Sequence, residues 1–305
     1  MASPKLNSWT VQPFLESSQN VLIAGAGGGF DIFCGLPLYR WLRDRGKEVH
    51  LANLSFTPNL EAPWQRIEPG SEPLHYFPEQ HLANFLQQPI YAFQNDGPAG
   101  VRLGYQAIIE RHQPDTLLLI DGGTDILMRG DEADLGTPEE DISSLAAAST
   151  CDIANKYVLC LGFGIDHYHG VSHALFLENV AALIRSGGYL GAWSLLEESV
   201  EFGLLRDAYH YTAERQRCSI VNSSIISAIE GHFGDHHASQ RTRGSELFIN
   251  PLMGLYWAFR LEAVAQANLY LGLVQDSGSR RELSHLIHQF QDLVRPKRKA
   301  RPIPC

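Results

Sequence analysis

The stretch "NVLIAGAGGGFD", residues 20–31, decides the fold. It begins with a short apolar run of the kind that forms a buried strand, and it ends in a glycine-rich turn. The next residues, "IFCGLPLYRWLRDRGKE", have the apolar spacing of an amphipathic helix that closes near Gly46, and "VHLANL" at residues 49–54 follows as a second strand. A strand, a helix and another strand in this order predict the start of a parallel sheet.

The alternation of strands and helices continues downstream. Further strands are predicted at 116–120, 157–166 and 189–196, helices at 101–111 and 173–188, and a lid-like loop with short helices at 55–88. We therefore predict an α/β fold, a doubly wound and mostly parallel Rossmann-like sheet over residues 1–198. Helical patterns dominate residues 199–294, which are expected to form a helical subdomain packed on this core. The basic, proline-rich residues 295–305 are expected to form a flexible tail.

Composition narrows the class of protein. The chain has 305 residues, a formal net charge of -10 and 44% hydrophobic residues. These values are typical of a globular protein and argue against a nucleic-acid partner, because binding phosphates needs a basic face. The N-terminus lacks the apolar core of a signal peptide. The five cysteines are odd in number and never in a CxxC pair, which favours reduced thiols and a cytoplasmic location.

The longest apolar stretch, residues 248–274, carries Arg260 and Glu262 near its centre, where a bilayer would penalise their charges. We therefore expect no membrane partner. The stretch is interpreted as a buried or interfacial helix, and a homo-oligomer contact through a helix at 251–274 is expected from its aromatic residues.

Three predicted strands end in the same pattern of glycine, one residue and aspartate. The three copies are Gly29-Phe30-Asp31, Gly123-Thr124-Asp125 and Gly164-Ile165-Asp166. Each aspartate alone would be a good helix N-cap. Capping does not explain the additional polar residues, Asp121 before the second pattern and His167 and His169 after the third. If the strands are parallel neighbours, these side chains share one acidic pocket at the carboxyl ends of the strands.

An acidic pocket needs a partner, because carboxylates repel one another and are destabilising when buried unpaired. We expect a hard cation such as Mg²⁺ or Mn²⁺, with Asp121, Asp125 and Asp166 as its ligands. The same three aspartates and His167 are the expected catalytic residues. The glycine amides would hold an anionic part of a small-molecule substrate. The residues expected to bind this ligand are Gly25, Gly27, Gly28, Gly29, Asp31, Gly122, Gly123, Thr124, Gly164, His169 and Arg241.

Simpler interpretations exist for several of these residues. Histidines four apart, such as His169 and His173, are more often solvated than metal-bound. Arg241 could clamp a carboxylate or phosphate, but a surface ion pair is the ordinary alternative. Conventional NAD binding is disfavoured, because Phe30 replaces the third glycine of the dinucleotide motif and the second strand ends in Asn53 rather than in an acidic residue.

A resemblance adds to these patterns. The segments "VLIAGAGGGFD", "LIDGGTDILMRGDEADLGTPEED", "LGFGIDHYHGV", "EGHFGD" and "INPLMGLYW" resemble a family of uncharacterised prokaryotic proteins known only as a domain of unknown function. The resemblance covers about residues 15–290 and its most specific segment is the second. It implies an α/β architecture and no particular reaction.

Two hypotheses about function remain. The first is an enzyme that acts on a small polar or anionic metabolite by hydrolysis or group transfer, with or without a metal ion. The second is a non-catalytic module that binds a nucleotide or metabolite, or serves in assembly. The concentration of acids at strand ends favours the enzyme.

Overall fold

A computed structural model describes residues 13–58 and 60–303. The expectation about a signal peptide at the N-terminus falls mainly on residues 1–12, and Cys305 also lies outside the described residues. Eight strands form one sheet: β1 (Asn20–Gly25), β2 (Glu48–Ser55), β3 (Trp64–Ile67), β4 (Ile90–Gln94), β5 (Thr116–Asp121), β6 (Asn155–Leu161), β7 (Tyr189–Ser194) and β8 (Leu255–Arg260). The α-helices are α1 (Leu36–Arg43), α2 (Pro78–Leu86), α3 (Pro98–His112), α4 (Pro138–Ser149), α5 (His173–Arg185), α6 (Val200–Ala213), α7 (Ile220–Ile229), α8 (Leu261–Ala267), α9 (Leu271–Val274) and α10 (Arg280–Leu293).

The sheet is mostly parallel, and the predicted α/β fold is confirmed. Its strand order is β3-β4-β2-β1-β5-β6-β8-β7. Strands β4, β2, β1, β5 and β6 are parallel neighbours, whereas β3 and β8 run antiparallel to the strands beside them. The chain order therefore reverses direction between β1 and β5, and open α/β sheets bind ligands beyond the carboxyl ends of the strands at such a point.

Both faces of the sheet are buried, which explains the continuous apolar runs in the sequence. Along β1, Val21 and Ile23 belong to one hydrophobic cluster, and Leu22 and Ala24 belong to the cluster on the other face. The helices divide accordingly. Helices α1 and α6 pack together on the first face, and α3 and α4 pack together on the second.

The helix expected at residues 251–274 is wrong. Residues 255–260 form β8, which pairs with β6 on one side and β7 on the other. Its side chains alternate between the two faces, Tyr256 and Ala258 in one cluster and Phe259 in the other, so the apolar period is two rather than 3.6. A homo-oligomer contact stays a prediction, but no single helix spans this segment to make it. The domain boundary at 198 also stays a prediction, although the part after it supplies a strand to the sheet.

The segment 295–305, which is expected to form a flexible tail, contacts the rest of the chain through Arg298. The amide of Arg298 donates to the carbonyl of Asp131 (2.7 Å), and the amide of Ala133 donates to the carbonyl of Arg298 (2.9 Å). The Arg298 side chain also forms salt bridges to Asp131, Glu132 and Glu178. The basic segment is ordered because an acidic surface of the same chain neutralises it.

Two further expectations concern membranes and cysteines. Within the described residues, none of the helices combines the length and apolar character needed to cross a bilayer. Cys34, Cys151, Cys160 and Cys218 are free thiols, in agreement with the expected reduced state.

Candidate functional site

The three glycine-aspartate turns meet at one edge of the sheet. Asp31 begins the 3-10 helix that follows β1, Asp125 begins the one that follows β5, and Asp166 lies in the one that follows β6. These strands are consecutive parallel neighbours in the sheet, so their carboxyl ends point the same way. The structure therefore brings together Asp31, Asp125 and Asp166, with Asp121 at the end of β5 among them.

Glycine is needed in these turns because carboxyl groups pack directly against the backbone. A Cβ atom on Gly122 would lie 2.9 Å from Oδ1 of Asp31, and one on Gly123 would lie 2.7 Å from Oδ1 of Asp166. Both separations are closer than a real Cβ atom tolerates. The glycines thus allow the aspartates to approach one another, in addition to shaping the turns.

The amide of Gly27 has a different role from the one expected. It donates to Oδ2 of Asp31 over 2.6 Å. The glycine loop therefore binds a carboxylate of its own chain at this amide, and an external anion would have to use other donors.

Two threonines orient two of the aspartates. Oδ2 of Asp166 accepts hydrogen bonds from the amide (2.6 Å) and the hydroxyl (3.2 Å) of Thr124. Oδ2 of Asp125 accepts from the amide (2.7 Å) and the hydroxyl (2.9 Å) of Thr137, the residue before α4. The Thr137 hydroxyl makes no cap bond to the helix. These bonds tie the loop after β5 to its two neighbours.

Asp141 is a site residue that the sequence analysis missed. It lies in the first turn of α4, and its side chain is 3% exposed. Among the described residues, no amide or hydroxyl group donates to either of its oxygens, and the carboxyl group of Asp125 lies within hydrogen-bonding reach. One oxygen each from Asp31, Asp121 and Asp141 lie within 4.8 Å of one another. The available signal was the sequence "PEED", but acids in a first helical turn are ordinarily explained by the helix dipole.

Four carboxyl groups of the acidic cluster have raised pKa values, and no cationic side chain of the described residues is paired with them. Burial raises the pKa values of Asp121, Asp141 and Asp166 well above their ordinary range, and neighbouring carboxylates raise them further. Burial also raises the pKa of Asp31 to about 7. No salt bridge within residues 13–58 and 60–303 joins these four aspartates to a lysine, arginine or histidine.

The three carboxyl groups whose spacing best suits a metal ion are not the three that were predicted from the sequence. Octahedral Mg²⁺ has bonds of about 2.1 Å, which separate its ligand oxygens by about 3–4 Å. One oxygen each from Asp31, Asp121 and Asp141 lie within 4.8 Å of one another, which is close to this spacing. Of the expected ligands Asp121, Asp125 and Asp166, this set contains only Asp121.

The predicted histidines lie at the surface. His167 and His169 are exposed although Asp166 beside them is buried. The ring of His167 lies 5.2 Å from that of His173, and its Nδ1 atom is 3.4 Å from the carbonyl oxygen of Val171. Gly164 packs against His173. The structure thus gives His167 contacts with its own loop rather than with the acidic cluster.

The remaining predicted residues line the side of the cluster nearest β2. Gly25 packs against Asn53, and Gly28 and Gly29 pack against Phe56. Arg241 is exposed and donates to the carbonyl of Cys218. Arg241 lowers the pKa of Tyr76 while Asp31 raises it, so both charges lie near that hydroxyl, although burial is the main influence on it.

Comparison with known proteins identifies the family. The model of the family described as a protein of unknown function, DUF1152, matches residues 65–291. The chain belongs to this family. No curated protein and no solved structure matches it.

Proposed function

We propose that the protein is an enzyme that binds a divalent ion, Mg²⁺ or Mn²⁺, through Asp31, Asp121 and Asp141, and that it hydrolyses or transfers a group of a small anionic metabolite. One observation carries the proposal. Asp141 is a buried carboxylate without a hydrogen-bond donor, and it faces other carboxylates. In its charged form such a group is strongly destabilising unless a cation binds it.

The residues of the cluster have separate roles in this proposal. A bound divalent ion would polarise an anionic oxygen of the substrate and make bound water more acidic. Asp31, Asp121 and Asp141 would hold the ion. Asp166 is held in place by Thr124 through one oxygen, and its raised pKa favours the protonated form that a general acid needs.

Arg241 supports an anionic substrate. Its charge and the charge of Asp31 both act on the hydroxyl of Tyr76, so a substrate bound at the cluster would lie within the electrostatic influence of this guanidinium. An arginine offers several donors to a carboxylate or phosphate. The substrate class that fits is therefore a small acid or phosphate ester.

Metal binding tests the proposal directly. We would titrate the chelator-treated protein with Mn²⁺ and follow binding by calorimetry and by electron paramagnetic resonance. The wild type should bind one ion, and Asp141→Asn should lower the affinity at least tenfold. Asp152→Asn removes one charge from an exposed residue and is the matched control, which should bind as the wild type does.

Two outcomes would contradict the proposal. Equal Mn²⁺ affinity in the wild type and in Asp141→Asn would remove the cluster as the ion site. Absence of Mn²⁺ and Mg²⁺ binding, together with binding of a small amine or nucleoside without turnover, would instead support the non-catalytic module.

A further inference from the structure

A second group of metal-binding side chains lies at the opposite edge of the sheet. Glu48 and His50 are the first and third residues of β2, and His112 is the last residue of α3. One ligand atom from each lies within 4.8 Å of the other two. The acidic cluster lies at the carboxyl ends of the strands, whereas β2 begins at Glu48. A strand of this length separates the two edges by roughly 20 Å.

The donor types differ from those of the acidic cluster. Two imidazoles and one carboxylate suit a first-row transition ion, whereas oxygens alone suit Mg²⁺. We propose that Glu48, His50 and His112 form a site for Zn²⁺ or a similar transition-metal ion. Nothing in the proposed function requires this site.

The geometry supports this proposal in three ways. The Nε2 atom of His50 is buried and lies 3.2 Å from Oε1 of Glu48, so a histidine nitrogen and a carboxylate oxygen already face each other. The Tyr91 hydroxyl bonds Nε2 of His112 over 2.9 Å and so fixes that ring, as an outer partner of a metal ligand does. A cavity of about 50 Å³ adjoins both rings. This volume exceeds what a single water needs and accommodates an ion with a water ligand.

Two features set the conditions for binding. The rings of His50 and His112 are stacked with centroids 3.8 Å apart and planes 29° apart, so one ring must rotate before both nitrogens can face the same ion. Arg66 lines the same cavity, but its charge is paired with Glu68. The exposed side chain of Glu48 completes a site that is open to solvent on one side.

The experiment separates this site from the acidic cluster. The full-length protein is dialysed against Zn²⁺ in saturating Mg²⁺, and bound zinc is measured by mass spectrometry. The wild type and Asp141→Asn should each retain one zinc ion. His112→Gln and Glu48→Gln should lower zinc affinity at least tenfold, whereas the exposed control His285→Gln should not. Because Glu48 is exposed, its variant tests the site even if His112→Gln fails to fold.

A second measurement identifies the ligands. Cu²⁺ bound in place of zinc should show coupling to two imidazole nitrogens in its paramagnetic resonance spectrum, and to one in His112→Gln. Zinc retention that is unchanged in both Glu48→Gln and His112→Gln, or no zinc retained by the wild type, would overturn the proposal. Either result would leave the metal proposed for the acidic cluster unaffected.

Discussion

Two buried carboxylates beside the loop after β5 have opposite surroundings. Glu132, at the end of that loop, is fully buried and accepts hydrogen bonds from the amides of Arg129 and Gly130 and from the side chains of Asn179 and Arg298. Asp141 is almost as buried and accepts none within the described residues. Burial is thus common to a carboxylate that stabilises the fold and to one that we assign to function.

The difference lies in the hydrogen bonds and the cation that stabilise the buried charge of Glu132 and that Asp141 lacks within the described residues. A buried charge whose hydrogen-bonding capacity is met can hold a loop in place, and Glu132 does so for the turn at Arg129 and Gly130. A buried charge that faces like charges opposes folding until a ligand arrives. The comparison therefore yields opposite expectations for substitutions at the two places.

The largest effect on stability is expected when Glu132 loses the guanidinium that neutralises it. The guanidinium of Arg298 lies 2.6 Å from Oε1 of Glu132 and 2.6 Å from Oδ1 of Asp131. Arg298→Met would leave the Glu132 charge buried without its cation. We expect it to lower the free energy of unfolding by about 3 kcal/mol, measured by urea denaturation.

Arg301→Met is the matched control, because Arg301 pairs with the exposed Glu178. It should change stability by less than about 1 kcal/mol, as surface ion pairs do. Equal effects of the two substitutions would show that the basic segment contributes no more through Arg298 than through any surface charge.

The next largest effect on stability is expected when a metal ion binds at Asp141. An ion that binds only the folded protein, at one hundred times its dissociation constant, should stabilise the wild type by about 2.7 kcal/mol. Thermal melts with Mn²⁺ and with chelator measure this difference. Asp141→Asn should lose most of it at the same Mn²⁺ concentration, and a full shift in that variant would exclude Asp141 as a ligand.

Much of this arrangement was predictable from the sequence. The apolar runs and their glycine turns predicted the parallel strands, and parallel neighbours necessarily bring Asp31, Asp125 and Asp166 to one edge. This inference succeeded because it needed only local patterns and the geometry of a sheet. Whether these aspartates catalyse a reaction stays a prediction.

The rest depended on contacts between distant segments. Asp141 belongs to a helix start that looks ordinary in the sequence, and only the packing of α4 against the loop after β5 brings it to the cluster. Strand β8 lies inside a long apolar stretch, and an alternation over only six residues is too short to distinguish a strand from a helix there. The order of the basic segment around Arg298 depends on acids more than a hundred residues away.

A third buried carboxylate, Glu79, extends the comparison to the pH dependence of stability. Glu79 is fully buried and accepts a hydrogen bond from Asn53, but no arginine or lysine in the described chain forms a salt bridge with it. Burial raises its pKa from 4.5 to about 7. Between these values the folded state binds more protons than the unfolded state, so this group lowers stability as pH rises from 4.5 through 7.

Glu79→Gln should therefore be more stable than the wild type at pH 8, by about 2 kcal/mol, and close to it at pH 4. Urea denaturation of both proteins in chelator over this range measures the effect. A difference that is constant with pH would mean that Glu79 does not change its protonation on folding.

The smallest effect is expected at Asp121, where substitution should remove repulsion without removing a needed bond. Asp121 is buried among Asp31, Asp125 and Asp166, and the one hydrogen bond that it accepts within residues 13–58 and 60–303, from the amide of Ile126, is long at 3.3 Å. Asparagine preserves the shape and can still accept that bond. In chelator at pH 8, Asp121→Asn should be as stable as the wild type or more stable by about 1 kcal/mol.

With Mn²⁺ the order of stability of the two proteins should reverse, because the wild type gains a ligand that the variant binds poorly. Urea denaturation under both conditions gives four free energies. A variant that is less stable than the wild type in chelator would place Asp121 with Glu132, among the carboxylates that hold the fold together.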